Sequence, residues 1–193
     1  MSFYRRRLPH WQPDGRVYFL TFRLAGTLPH GRAFPRKSLT SGKAFVAMDR
    51  LLDEARFGPR HLARAEVATI VENGIRRGEL LNSYELDAYV IMPNHVHLLV
   101  KPFTPIADLM RMLKSATAVA ANRVLGTQGQ AFWQDEYFDR WVRDRDEFGR
   151  IRRYIENNPL IAGLCNRPEE FRWSSIQGQA ECSQAIGSYS STR

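Results

Sequence analysis

Cysteine is nearly absent from this sequence. Cys165 and Cys182 stand alone, too few for a disulfide framework and without the paired spacing of a metal knuckle, so both are read as reduced thiols. Long apolar runs are missing as well: no window approaches the roughly 20 consecutive apolar residues of a membrane span. The opening residues, Met1-Ser2-Phe3-Tyr4-Arg5-Arg6-Arg7, lack the apolar stretch of a signal peptide. Together these absences predict a soluble, cytoplasmic protein that is not inserted in a membrane. Acidic residues are in deficit too: 20 Asp and Glu against 28 Lys and Arg leave a formal charge of +8 and a pI near 9.9. Such a balance favours a polyanion as partner, nucleic acid ahead of a membrane surface.

What is present points to one domain with appendages: 193 residues, 44% of them hydrophobic, suffice for one sizeable core. Residues 1–16 mix arginines, Pro9, Pro13 and Gly15 without apolar periodicity and read as a basic arm. From 17 to 24 the chain is β-branched and aromatic and stops at Gly26, as a strand does. Helical spacing recurs over 45–57 and 64–81, with Gly58-Pro59 between. Strands are predicted over 84–92 and 95–101, broken at Pro93-Asn94; a helix follows over 106–125, ended by Gly126. Residues 132–142 fit either irregular chain or a strand, and Asp144 or Asp146 caps a helix that Pro159 stops after Asn158. The main domain thus spans 17–173, and the Ser/Gln-rich residues 174–193 form a polar tail. The order, close to β-α-β-β-α-β, predicts an α+β fold: a ferredoxin-like (RRM-like) antiparallel sheet with helices on one face.

Chemistry concentrates in two places. On a strand, side chains two apart share a face, so His95 and His97 form a two-imidazole claw while Val96, Leu98 and Val100 point to the core behind it. Neutral imidazole is a common metal ligand, and two leave coordination positions open for a third ligand and a substrate. On the helix before Pro159, Tyr154 and Asn158 are four apart and stack on one face, so a cation near the amide oxygen lies near the phenol. Ile151 and Ile155 are placed to anchor that helix to the sheet. A phenol, with an ordinary pKa of about 10, is a poor nucleophile at neutral pH without help. A divalent ion on a phosphate oxygen supplies that help and stabilises the in-line displacement.

The segments Tyr89-Val90-Ile91-Met92-Pro93-Asn94-His95-Val96-His97-Leu98-Leu99-Val100 and Tyr154-Ile155-Glu156-Asn157-Asn158-Pro159-Leu160-Ile161-Ala162-Gly163-Leu164 closely resemble the REP-associated tyrosine transposases. That family belongs to the single-tyrosine transposases named HUH for a histidine-hydrophobe-histidine motif, which His95-Val96-His97 matches. Residues 7–28, Leu113-Lys114-Ser115 and Trp173-Ser174-Ser175 match as well, so the resemblance covers about residues 4–176. It implies a ferredoxin-like catalytic domain with the motif on a central strand, Tyr154 as nucleophile, and His95, His97 and Asn158 as ligands of Mg²⁺ or Mn²⁺. It further implies cleavage and rejoining of single-stranded DNA at the foot of REP-like palindromic hairpins, by a monomer or homodimer. The stretch of residues 29–59 and the Ser/Gln-rich tail are departures from a minimal member.

For phosphate contacts the candidates are Arg5, Arg6, Arg7, Arg111, Lys114, Arg140, Arg143, Arg145, Arg152 and Arg153; for base stacking, His10, Trp133 and Trp141. Two rival readings fit parts of the pattern. Histidine-triad nucleotide hydrolases carry His-x-His-x-His, but Leu99 stands at the third place. A catalytically silent regulator, derived from a transposase and binding hairpin DNA, would be expected to have lost some of the chemical groups, and all are present.

Overall fold

The computed structural model describes residues 2–5, 9–13, 15–27, 50–52 and 58–177. Within the basic arm, Ser2–Arg5 (β1) and Pro9–Gln12 (β2) pair as an antiparallel hairpin with Phe3 opposite Trp11. The main sheet follows from Tyr18–Arg23 (β3), Tyr84–Ile91 (β4), His95–Pro102 (β5) and Phe138–Trp141 (β6). Its spatial order is β4-β5-β3-β6 and every neighbour is antiparallel. With Ala65–Leu80 (α1) after β3 and Ile106–Leu125 (α2) after β5, this is the ferredoxin-like interleaving expected from the element order. Of the helix expected over 45–57, residues 50–52 are helical and the rest lies outside the described residues.

Alternation along the strands sorts the side chains into two cores. Tyr18, Leu20 and Phe22 of β3 and Val96, Leu98 and Val100 of β5 face α1 and α2, where Val67, Val71 and Ile75 meet Leu109, Met110 and Leu113. Each such fully buried side chain contributes roughly 1.5–3 kcal/mol. Gly74 lets α1 and α2 approach, since a Cβ there would stand 2.6 Å from Cγ2 of Thr117. Gly126 ends α2 in the left-handed conformation, at φ +70°.

The other sheet face carries Phe19, Val90, Met92 and Leu99, and against it packs Arg145–Ile161 (α3), through Phe148, Ile151 and Ile155. The expectation that all helices share one face is therefore corrected. A third helix is needed because the second face is apolar outside the histidine pair, and bare apolar surface is costly in water. A bulge between Leu86 and Ala88 contributes: it shifts the alternation, so Tyr89 and Ile91 join the α1/α2 core and Ala88 and Val90 the α3 core.

Two boundaries differ from the sequence expectation. Asp144 caps α3, its carboxylate accepting from Glu147 N–H at 2.7 Å, but the helix runs through Pro159 rather than stopping at Asn158. Proline removes one backbone donor and crowds the carbonyl four residues back. Here the ring is buried, and one further turn closes behind it, with Ala162 N–H on the Asn158 carbonyl at 3.0 Å and Leu164 N–H on that of Pro159 at 2.8 Å. The polar stretch placed from 174 onward begins with residues tied to the sheet. Ser174 is buried and bridges to Val90, and Ile91 N–H donates to the Trp173 carbonyl at 2.8 Å, covering the open edge of β4.

Candidate active site

His95 and His97 project from β5 toward α3, and both are fully buried. Their ring orientations follow from their neighbours. Asn94 Nδ2 donates to the Leu52 carbonyl at 2.9 Å, an atom that can only accept, so Asn94 Oδ1 is what faces His95 Nδ1 at 2.6 Å. His95 Nδ1 therefore carries the proton, and its Nε2 presents a lone pair. Thr21 Oγ1 lies 2.8 Å from His97 Nδ1 across the β3–β5 register. The two Nε2 atoms then face each other at 3.1 Å. Two lone pairs at that distance repel unless something positive sits between them, either a proton on His97 or a cation.

Asn158 completes the cluster from α3. Its side chain is 1% exposed, with Nδ2 3.5 Å from His97 Nε2, too long for more than a weak bond. Its Oδ1 is buried with no hydrogen-bond partner, a deficit that costs about 1–3 kcal/mol in a folded protein. A half-turn of the amide exchanges its ends, so either can face the imidazole. Among the described residues no group of three His, Cys, Asp or Glu side chains has metal-binding geometry; the third donor beside the imidazoles is this amide. Two imidazole nitrogens and an orphaned amide oxygen fit a divalent cation of intermediate hardness with coordination positions left open.

One turn before Asn158, the half-buried Tyr154 ring stands 5.7 Å from the His97 ring and 6.1 Å, edge-on, from Phe19. Phe19 in turn stacks on His97 at 5.4 Å. One chain thus brings Tyr154, His95, His97 and Asn158 together. The i, i+4 spacing places Tyr154 and Asn158 on the sheet side of α3, and Ile151 and Ile155 anchor that side as the spacing implies.

The basic and aromatic candidates are scattered. The side chains of Arg5, Arg6, Arg7 and His10 lie outside what is described. Arg143, Arg145 and Arg153 are exposed. Arg111 is exposed and paired with Asp108 at 3.0 Å. Lys114 donates to the carbonyls of Gln134 and Asp135 at 2.6 and 2.8 Å, holding the return chain against α2. Arg140 is ion-paired with the buried Glu147, which pins β6 to the start of α3. Arg152 bonds Glu156 at 2.9 Å and lies beside Asp87, whose carboxyl burial pushes up. Trp141 is half-buried, with the Arg16 guanidinium over its ring. Trp133 is corrected to a core residue: it is 6% exposed, its indole N–H donates to Thr117 at 2.9 Å, and Phe22 and Phe132 pack on its ring. Its apolar neighbours in the sequence already suited a core position. Sequence reasoning missed Phe19, Thr21 and Asn94. The first two alternate on the same face of a readable strand, but only the pairing register sets them beside His97.

A family model described as "Transposase IS200 like" matches residues 60–158, a little over half of the chain. No curated protein shows significant similarity. Among solved structures, a REP-associated tyrosine transposase bound to a REP hairpin is similar with a TM-score of 0.61 and 17% identity, over 94% of this chain and 86% of that one. A Deinococcus radiodurans R1 protein assigned as a transposase aligns at TM-score 0.43 and 19% identity, over 79% of this chain and 98% of that one. The first likeness shows a shared fold. Among the described residues no helix is long and apolar enough to cross a membrane.

Proposed function

The chain belongs to the IS200-like transposase family, and from that premise we propose that it cuts and rejoins single-stranded DNA beside hairpins through a covalent bond to Tyr154. The finer reading is a REP-associated transposase of the HUH type acting on REP-like palindromes. Supporting it are the quoted motifs, the net charge of +8 and a fold shared with a transposase that was solved on a REP hairpin. The observation that carries the chemistry is the orphaned Asn158 oxygen beside two inward-facing Nε2 atoms, one helical turn from a tyrosine against His97.

His95 and His97 offer their Nε2 lone pairs and Asn158 its amide oxygen as ligands, with Asn94 and Thr21 fixing the two rings from behind. Bound there, Mg²⁺ or Mn²⁺ supplies Lewis-acid polarisation of the scissile phosphate and neutralises the charge of its transition state. Tyr154 is the nucleophile. Its phenol proton is lost, the Oη–P bond forms, the P–O3′ bond breaks, and the leaving 3′ oxygen takes up a proton. The DNA is then joined through its 5′ phosphate to Tyr154, and a free 3′ hydroxyl remains. That linkage conserves the phosphodiester bond energy, so the same or another 3′ hydroxyl reverses the step without ATP. Phe19 limits the travel of both the nucleophile and His97, which favours an in-line approach. Because all four groups meet within one chain, a single subunit suffices.

The test is to incubate the protein with labelled single-stranded hairpin oligonucleotides, with and without Mn²⁺, and resolve covalent adducts on a denaturing gel. A Mn²⁺-dependent adduct is expected, and Tyr154→Phe should abolish it while hairpin binding persists. Tight binding with no adduct from the wild type would instead establish a silent hairpin-binding regulator.

A further inference from the structure

On the catalytic face of β3, Phe19, Thr21 and Arg23 follow one another at alternate positions, and the register sets Thr21 opposite His97 and Arg23 opposite His95. Residues directly opposite in an antiparallel pair share a face, with Cβ atoms about 4.5–5.5 Å apart. Arg23 is thus the cationic side chain nearest in register to the histidine pair, on the side away from Tyr154, whose ring packs on His97 and Phe19. Among the described residues it has no carboxylate partner. Its one side-chain hydrogen bond among the described residues runs from Nη1 to Thr27 Oγ1 at 3.0 Å, while the Thr27 hydroxyl donates to the Leu24 carbonyl at 2.9 Å. Leu24 N–H donates in turn to the Asn94 carbonyl at 2.9 Å, so the anchor of Arg23 and the residue that orients His95 belong to one unit. Arg23 is half-buried, and that burial pulls its pKa below the ordinary guanidinium value. A charge kept partly dry without a counter-ion is poised for an anion, and a planar guanidinium suits a phosphate.

Two basic residues near this face have partners of their own: Arg140 pairs with Glu147, and Arg152 with Glu156. In-line displacement requires the attacking and leaving oxygens to stand on opposite sides of phosphorus. With Tyr154 at the His97 end, the leaving 3′ oxygen and the strand attached to it fall at the His95 end. We propose that Arg23 clamps a phosphate of this departing strand, on the 5′ side of the cut, and so holds the 3′ hydroxyl ready for rejoining. The assignment rests on the strand-transfer reading given above and adds to it a residue that grips the strand not covalently bound.

The test pairs protein and DNA changes. Hairpin oligonucleotides carrying one neutral methylphosphonate at successive positions around the cut are offered to the wild type, Arg23→Gln and Arg23→Lys, with Mn²⁺. The rates of adduct formation and of rejoining to an added 3′-hydroxyl strand are measured. One position 5′ of the cut should slow the wild type by about tenfold to a hundredfold, the range expected for losing one charge-assisted positioning contact. Arg23→Gln should show a similar loss on native DNA and no further loss with that methylphosphonate, and Arg23→Lys should recover part of the rate. A purely structural role would leave the two losses additive. The inference is overturned if the wild type tolerates every neutral phosphate 5′ of the cut, if the sensitive position lies 3′ of it, or if Arg23→Gln keeps the wild-type sensitivity. Should Arg23→Gln not fold, the wild-type scan and the lysine variant decide. A wild type that forms no adduct on any hairpin defeats the underlying reading, whereas normal adducts with an indifferent Arg23→Gln defeat only the clamp.

Discussion

Asn94 sits behind the candidate metal site and holds two separable roles, which makes it the sharpest probe of how the site is built. Its Nδ2 donates to the Leu52 carbonyl at 2.9 Å and its Oδ1 accepts from His95 Nδ1–H at 2.6 Å, all in buried surroundings. Asn94→Ala removes both bonds and strands one acceptor and one donor. At about 1–3 kcal/mol for each stranded group, a loss of about 2–6 kcal/mol of folding stability is expected. The freed His95 ring can also turn or change tautomer, so Mn²⁺ affinity should drop about 10–100-fold. Asn94→Asp divides the two effects. Its carboxylate still accepts from His95 Nδ1, so Mn²⁺ affinity is kept, but an oxygen now faces the Leu52 carbonyl and stability still falls. Denaturant unfolding in chelator measures the first quantity and calorimetric Mn²⁺ titration the second. If Asn94→Ala binds Mn²⁺ as tightly as the wild type, or if Asn94→Asp loses as much affinity as the alanine, the orienting argument fails.

Three further substitutions probe separate features. Asn158→Leu removes the unpartnered buried oxygen, so the metal-free protein should gain about 1–2 kcal/mol by denaturant titration while Mn²⁺ binding and the DNA adduct disappear; a loss of stability would show that the amide is satisfied. Gly74→Ala puts a Cβ 2.6 Å from Thr117 and 3.2 Å from Leu113, and should cost about 1–3 kcal/mol through overpacking between α1 and α2, with Mn²⁺ affinity unchanged in calorimetry. Trp133→Phe forfeits the bond to Thr117, and thermal unfolding should register a loss of about 1–2 kcal/mol. Hairpin affinity by fluorescence anisotropy should hold, and a matching drop in affinity would return Trp133 to the DNA surface.

The site combines groups made stable in different ways. β5 is flanked by β4 and β3 and buried on both faces, so the imidazoles are held by the most constrained part of the sheet. Tyr154, the proposed nucleophile, comes instead from a helix anchored by Phe148, Ile151 and Ile155 on one face and by the Arg140–Glu147 pair at its start. A rigid histidine pair and a separately seated tyrosine suit the proposed reaction, in which Tyr154 first binds a strand and later releases it.

By itself, the sequence determined whatever depends on spacing along one element. Alternation put His95 and His97 on one face of a strand and the valines and Leu98 on the other; the i, i+4 rule joined Tyr154 to Asn158; Gly126 marked one helix end, and Asp144 or Asp146 another. Their causes are local, a backbone period or a capping bond, and so are written in neighbouring residues. What the tertiary structure alone decided was which elements meet: α3 on the sheet face opposite α1 and α2, Thr21 behind His97, Phe19 beneath Tyr154, and Arg23 beside His95. Pro159 inside its helix and Trp133 in the core belong to the same group, because burial by distant residues overrode a local preference in one case and a surface expectation in the other. Register between strands and the packing of a helix across them are settled by contacts far apart in the chain, and one sequence read along its length does not record those distances.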